Sequence, residues 1–100
     1  MIKNKLLERK QELKTHLKNE LLKDFKFYQS RYNCNLTEEI LESSKKDFDK
    51  WVVKQLYPAI VQKEGNYSKR SPYLYYIVNQ YLQVISELIE YNKTEVSMHK

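Results

Sequence analysis

Apolar residues recur along this chain at the three- and four-residue spacing of amphipathic helices. The first such segment runs from about Asn4 to Tyr32, and its apolar side chains share an arc roughly 120° wide, typical of a core-facing stripe. They are Leu6, Leu13, Leu17, Leu21, Phe25, Tyr28 and Tyr32. The pattern predicts one long helix that ends at residues 33–35. We expect Asn35 to cap the next helix, with Glu38 completing a capping-box pattern.

The second segment, from about Leu36 to Glu64, has the same helical period. Its apolar residues are Ile40, Leu41, Phe48, Trp51, Val52, Leu56 and Ile60. Pro58 lies inside this segment, and proline lacks an N–H and clashes with the preceding turn. The sequence therefore predicts a kink, or a break near Leu56-Tyr57. Gly65 is placed to end the helix in a left-handed conformation.

The third helix has the clearest start, with Ser71 as its N-cap and Pro72 at its first helical position. The apolar pattern predicts that it runs to about Tyr91 and is the most buried helix. Long helices with short connections predict an all-α fold, an antiparallel up-down-up bundle of three helices, or four if the second breaks at Pro58. We expect residues 1–91 to form one domain and residues 92–100 to be a frayed tail.

The composition indicates in which environment the protein acts and which class of partner it binds. The 100 residues carry 18 Lys and Arg against 13 Asp and Glu, a net charge of +5 that favours an anionic partner. No run approaches the ~18 apolar residues of a membrane span. The N-terminus lacks the apolar stretch of a secretory signal, and Cys34 is the single cysteine. These features predict a cytoplasmic protein that does not act at a membrane.

Two lysine rows stand out at the spacing i, i+4, i+8. The first lysine row is Lys10, Lys14 and Lys18, and the second lysine row is Lys46, Lys50 and Lys54. Like charges at i, i+4 repel by a few tenths of a kcal/mol, so an external anion is one explanation for them. If the first two helices fold back around residues 33–36, the rows overlap in height. Lys14 would then lie level with Gln55, and Lys18 level with Trp51.

The same geometry places the 65–71 loop at the end of the bundle where the first helix begins. It gathers five cations there, namely Lys3, Lys5, Lys63, Lys69 and Arg70. On the third helix, Tyr73 and Tyr81 fall inside the apolar arc and are expected in the core. Tyr75 and Tyr76 fall outside it and, with Tyr67 of the loop, are candidates for contact with a partner.

The sequence gives little indication of catalysis, of a metal or of a cofactor. His16 lies between Glu12 and Glu20 and is interpreted as part of a solvated row of charges. Cys34 is interpreted as a free cysteine in a turn, and Trp51 as a core anchor. A single glycine cannot form a glycine-rich phosphate loop. We therefore expect a protein that is not an enzyme.

Three functions remain open at this point. The first is binding to a nucleic-acid backbone through the lysine rows, Lys69, Arg70 and the exposed tyrosines, as an accessory or regulatory factor of a phage or plasmid. No helix-turn-helix pattern supports sequence-specific reading of DNA. The second is binding to an acidic protein surface, as an inhibitor, an immunity-type protein or an adaptor. The third is a structural homodimer that pairs through the leucine stripe of the first helix.

Overall fold

The computed structural model describes residues 2–65 and 72–98, with side chains to residue 93, and within these residues every regular element is helical. The elements are α1 (Ile2–Lys23), α2 (Phe25–Arg31), α3 (Glu38–Leu41), α4 (Lys45–Trp51), a π-helical segment (Val52–Leu56), α5 (Tyr57–Glu64) and α6 (Tyr73–Met98). The all-α class is confirmed. None of the described helices has the length and apolar character needed to cross a membrane.

The first predicted helix is divided at Asp24, whose φ of −144° and ψ of 59° lie outside the helical region. The hydroxyl of Tyr28 donates to Glu20 Oε2 across this break, at 3.2 Å. Tyr32 follows α2 in an extended conformation, is buried, and donates its hydroxyl to Glu64 Oε1 at 3.0 Å. The break therefore lets the end of the segment pack against α5, an interaction that periodicity within one helix does not encode.

The second predicted helix is interrupted near its start, between Leu41 and Lys45. Asn35 does not cap it, because Asn35 adopts a φ of +55° and an N-cap residue needs an extended backbone. Thr37 caps α3 instead, with its hydroxyl accepting from the N–H of Ile40 at 3.1 Å. Ser44 caps α4 by accepting from the N–H of Asp47 at 3.2 Å.

Pro58 does not break the helix. The backbone stays right-handed and helical from Trp51 to Tyr57, and the N–H of Tyr57 donates to the carbonyl of Val52, five residues earlier. A π turn is wider than an α turn, which gives the proline ring room, and proline has no N–H that needs an acceptor. At the end of α5, Gly65 has the expected positive φ, +80°, and its N–H donates to the Val61 carbonyl at 2.8 Å.

The start of α6 is close to the prediction and its end is not. Pro72 directly precedes the helix, and its carbonyl accepts from the N–H groups of Tyr75 and Tyr76 at 3.0 and 3.3 Å. The predicted cap, Ser71, lies outside the described residues. The predicted end at Tyr91 is wrong, because α6 continues to Met98. No Gly or Pro follows Tyr91, so the sequence contains no strong stop signal there; fraying of residues 92–100 stays a prediction.

The core is formed chiefly where α1 packs along α6. The leucine stripe of α1, which is Leu13, Leu17 and Leu21, is buried inside the chain itself. This burial does not favour a homodimer that pairs through the stripe, and the homodimer itself stays a prediction. Arg9 donates to Gln80 at 3.5 Å, and Leu6 shares a groove with Tyr91, so the two helices run antiparallel.

The segment from α4 to α5 runs in the same direction as α1 and α2. Asp49, near its start, pairs with Lys10, whereas Glu64, at its end, pairs with Arg31 at 2.6 Å. The chain reverses within residues 32–44, and the predicted register is consequently wrong. Lys18 contacts Glu42 and does not lie level with Trp51.

Among the described residues, Lys63 does not lie with Lys3 and Lys5 as the predicted basic pole requires. Because Glu64 lies at the end of α2, the neighbouring Lys63 lies at that end as well. Lys3 and Lys5 lie in the first turns of α1, a helix of 22 residues and about 33 Å. Lys69 and Arg70 fall outside the described residues. The physical reason is the early chain reversal, which places Glu64, at the end of α5, beside α2 instead of beside the start of α1.

Candidate nucleic-acid interface

The first lysine row faces the protein and is occupied by internal contacts. Lys10 forms an ion pair with Asp49, and Lys18 Nζ lies 3.2 Å from Glu42 Oε1. Lys14 Nζ lies 5.0 Å from the centroid of the Phe48 ring, a cation–π geometry. These contacts join α1 to the 42–49 region. Placing this row among the phosphate-binding residues is therefore not supported, since its charges serve internal packing.

Asp49 connects α4 to both α6 and α1 through polar contacts. Its Oδ1 accepts from the hydroxyl of Tyr81, and its Oδ2 pairs with Lys10. Tyr81 is fully buried, as predicted. Burial, followed by the hydrogen bond to Asp49, raises the pKa of the Tyr81 hydroxyl. The sequence holds a signal for this contact: at about 100° per residue, Asp49 falls between Leu56 and Ile60 on the apolar arc.

Lys14, the middle lysine of the first row, lies where its charged form is destabilised. Burial, and next the nearby Lys18, lowers the pKa of Lys14 below its usual value. Lys10 and Lys45 lower it further, while Asp49 acts in the opposite direction. Lys14 thus lies in a partly desolvated cluster of cations between α1 and α4, and it is poorly placed to meet a phosphate in solvent.

The second lysine row faces solvent. Lys46, Lys50 and Lys54 are all exposed along the outer side of α4 and the π-helical segment. Across residues 2–65 and 72–93, no carboxylate lies within 4.0 Å of their ammonium groups. The two rows predicted from sequence as one track thus differ in environment, and only the second keeps free positive charge at the surface.

An open groove of about 540 Å³ runs beside the second lysine row, between the 35–43 segment and α4 with its π-helical continuation. It is lined by Asn35, Thr37, Glu39, Ile40, Ser43, Asp47, Lys50, Trp51, Lys54 and Gln55. Within this lining, Asn35 Nδ2 donates to Gln55 Oε1 at 2.6 Å. Sequence reasoning missed this groove, because it depends on the break before α4 and on the left-handed Asn35.

The tyrosines divide differently from the prediction. Tyr75, expected to contact a partner, is 1% exposed, and its hydroxyl donates to the Gly65 carbonyl at 2.9 Å. Tyr73, expected in the core, is 59% exposed. Tyr76 is 44% exposed and stacks on Tyr73, with ring centroids 6.1 Å apart and an interplanar angle of 19°.

Both errors concern residues at the edges of the apolar arc. Tyr75 contacts Tyr57 edge-on, at 6.2 Å between centroids, so α5 covers its side of α6. A helical wheel gives the direction of a side chain but not the element that packs beside it. The remaining loop candidates, Tyr67, Lys69 and Arg70, lie outside the described residues.

The groups considered for catalysis lie apart from one another. His16 is exposed, whereas Cys34 is buried and its burial raises the pKa of the thiol. Trp51 is a core anchor, as predicted, and its Nε1 donates to the Cys34 carbonyl at 2.6 Å. Within the described part of the chain, no three His, Cys, Asp or Glu side chains are grouped so that they could hold a metal ion. The expectation that the protein is not an enzyme stays a prediction.

Comparison of the chain with protein-family models, with curated proteins and with solved structures found no match. Functional inference therefore starts from the residues and contacts described above.

Proposed function

We propose that this protein is a non-enzymatic accessory or regulatory factor that binds the phosphate backbone of a nucleic acid through Lys46, Lys50 and Lys54. The observation that carries the proposal is the exposure of all three ammonium groups in one row without a carboxylate partner among the described residues. We also propose that the protein acts in the cytoplasm and originates from a phage or a plasmid.

The geometry of the row suits a repeating anionic backbone. Residues four apart on a helix lie about 6 Å apart along its axis, so the three lysines form a line about 12 Å long. Each ammonium group stands on a flexible four-carbon stem, which lets it adjust to the positions of neighbouring phosphates. Contacts of this kind position a nucleic acid without reading its sequence. That agrees with the absence of a helix-turn-helix pattern from the sequence.

Salt dependence tests the proposal. For duplex DNA, each neutralised phosphate contributes a slope of about −0.9 in log affinity against log salt concentration. Three contacts therefore predict a roughly 40-fold loss of affinity between 50 and 200 mM salt. Titration of labelled duplex and single-stranded oligonucleotides at the two concentrations measures the slope.

A matched pair of triple variants locates the contact. Replacing Lys46, Lys50 and Lys54 by Gln removes three charges from the second row, and we expect most of the affinity and of the salt slope to be lost. Replacing Lys5, Lys23 and Lys26, also exposed, by Gln removes the same net charge elsewhere. This control is expected to keep a slope close to that of the unsubstituted protein. Absence of binding at 50 mM salt, or equal losses in both variants, contradicts the proposal.

A second candidate function is binding to a protein, as an inhibitor, an immunity-type protein or an adaptor. The stacked and exposed pair Tyr73 and Tyr76 favours it, because aromatic side chains are enriched among the residues that anchor interfaces. Retention of a partner after nuclease treatment and a high-salt wash supports this function if Tyr73→Ala and Tyr76→Ala abolish it. Retention that is lost on nuclease treatment and depends on the second lysine row supports nucleic acid instead.

A further inference from the structure

We infer that the nucleic acid is single-stranded and that one of its unpaired bases enters the groove beside the second lysine row. This inference rests on the proposed function and adds the class of nucleic acid and the site of the base. It is carried by three features of the groove lining: two lysines, a hydrogen-bonded pair of amide side chains, and the apolar side chains Ile40 and Trp51.

The amide pair offers hydrogen-bonding groups that are accessible to a ligand. In the bond from Asn35 Nδ2 to Gln55 Oε1, each amide uses one group and keeps the other. Asn35 Oδ1 remains as an acceptor and Gln55 Nε2 as a donor, and exchanging N and O in both amides still leaves one of each. An unpaired base presents a donor and an acceptor on its Watson–Crick edge, whereas in a base pair that edge is already occupied. The amide pair thus favours a base from a single strand.

Both amides belong to residues with unusual backbone conformations. Asn35 has a φ of +55°, a conformation that few non-glycine residues adopt, and Gln55 lies in the π-helical segment. π-helical turns within α-helices are frequent at functional sites. The same segment carries Lys54, which lines the groove next to Gln55. A phosphate held by Lys50 or Lys54 therefore lies within one nucleotide of a base in the groove.

The remaining lining selects an uncharged, flat group. Ile40 and the buried Trp51 supply an apolar floor. Glu39 and Asp47 also line the groove and repel a phosphate inside it, and their oxygens accept hydrogen bonds from the amino groups of bases. A volume of about 540 Å³ lies within the range of small-molecule sites. The arrangement separates the two parts of a nucleotide, with its phosphate on the lysines and its base between the walls.

The test uses the full chain and three fluorescent oligomers of equal length: single-stranded DNA, the corresponding duplex, and an abasic strand with the same phosphates. We expect the single strand to bind about tenfold more tightly than either other oligomer, the gain typical of one well-held base. Asn35→Gly keeps the positive φ and removes the amide. Combined with Gln55→Ala, it is expected to remove that tenfold preference and to leave the salt slope unchanged.

Gln62→Ala, an equivalent truncation of an exposed glutamine on α5, serves as the control and is expected to keep the preference. Thermal unfolding followed by circular dichroism checks that every variant is folded. If all three oligomers bind with equal affinity and only substitution of the second lysine row abolishes binding, the inference is overturned and the proposed function still stands. A single-strand preference that survives Asn35→Gly with Gln55→Ala also overturns it. If no oligomer binds at 50 mM salt, the proposed function fails as well.

Discussion

The contact between Tyr81 and Asp49 allows a sharp test of the packing. We predict that Tyr81→Phe and Asp49→Ala have non-additive effects on the free energy of unfolding, because each removes the hydrogen-bond partner of the other. The Asp49 carboxylate also pairs with Lys10, so the two variants do not remove the same set of interactions. A double-mutant cycle separates the shared hydrogen bond from the rest.

The magnitude follows from the burial of the two partners. Tyr81 is fully buried, so Tyr81→Phe loses one hydrogen bond to a charged group, about 1.5–3 kcal/mol. Asp49→Ala leaves the buried hydroxyl without an acceptor, about 1–3 kcal/mol, and unpairs Lys10, whose side chain is 18% exposed, for up to about 1 kcal/mol more. In the Tyr81→Phe background, no hydroxyl is present, so Asp49→Ala no longer leaves a buried donor without an acceptor. We therefore expect a coupling of about 1–2 kcal/mol.

Urea unfolding followed by fluorescence of Trp51, the single and buried tryptophan, measures the cycle. For a domain of this size, each kcal/mol corresponds to a shift of roughly 4–8 °C in melting temperature, so thermal unfolding gives a second measurement. Tyr76→Phe, which removes a hydroxyl from an exposed tyrosine, is the control and is expected to change stability by less than about 0.5 kcal/mol. Additivity of Tyr81→Phe and Asp49→Ala within about 0.5 kcal/mol refutes the reasoning.

Three further predictions concern single residues. Burial, then the hydrogen bond to Glu64, raises the pKa of Tyr32 from 10.0 to about 12. The stabilising contribution of Tyr32 is therefore complete below pH 10 and is lost as the pH rises toward 12. Tyr32→Phe should flatten the decline in unfolding free energy over that interval, measured by urea titrations at several pH values. The buried thiol of Cys34 should react with a chromogenic disulfide reagent slowly in the native protein and rapidly in denaturant; equal rates refute its burial. Ser44→Ala removes the N-cap of α4 and should cost about 1 kcal/mol in urea unfolding, whereas Ser86→Ala, at an exposed site on α6, should cost nothing.

The helical class and much of the core could be predicted because periodicity reports which side of a helix is apolar. Leu13, Leu17 and Leu21 were assigned to the core in this way and are buried. The same reasoning failed between residues 24 and 44, where the chain bends at Asp24, passes through a left-handed Asn35 and starts two short helices. The short helices start at the local caps Thr37 and Ser44, and neither these caps nor the backbone changes at Asp24 and Asn35 have a periodic signature.

The candidate site shows the same limit. Spacing alone identified both lysine rows, but it treated them as equivalent. Only the packing of α4 against α1 distinguishes Lys10, which pairs with Asp49, from Lys50, which faces solvent. The groove could not be predicted, since its walls come from two segments whose register depends on the reversal within residues 32–44.

The packing of α1 on α6 has a consequence for the order of folding. The two ends of the contact between Arg9 and Gln80 are 71 positions apart in the chain, so α1 gains its principal partner only after most residues have been synthesised. Until then, the apolar stripe of Leu13, Leu17 and Leu21 lacks its cover on the nascent chain. Contacts of such long range slow folding, and uncovered apolar surface favours aggregation and binding by chaperones. We therefore expect α1 to gain its stable packing only once α6 has emerged, and not helix by helix during synthesis.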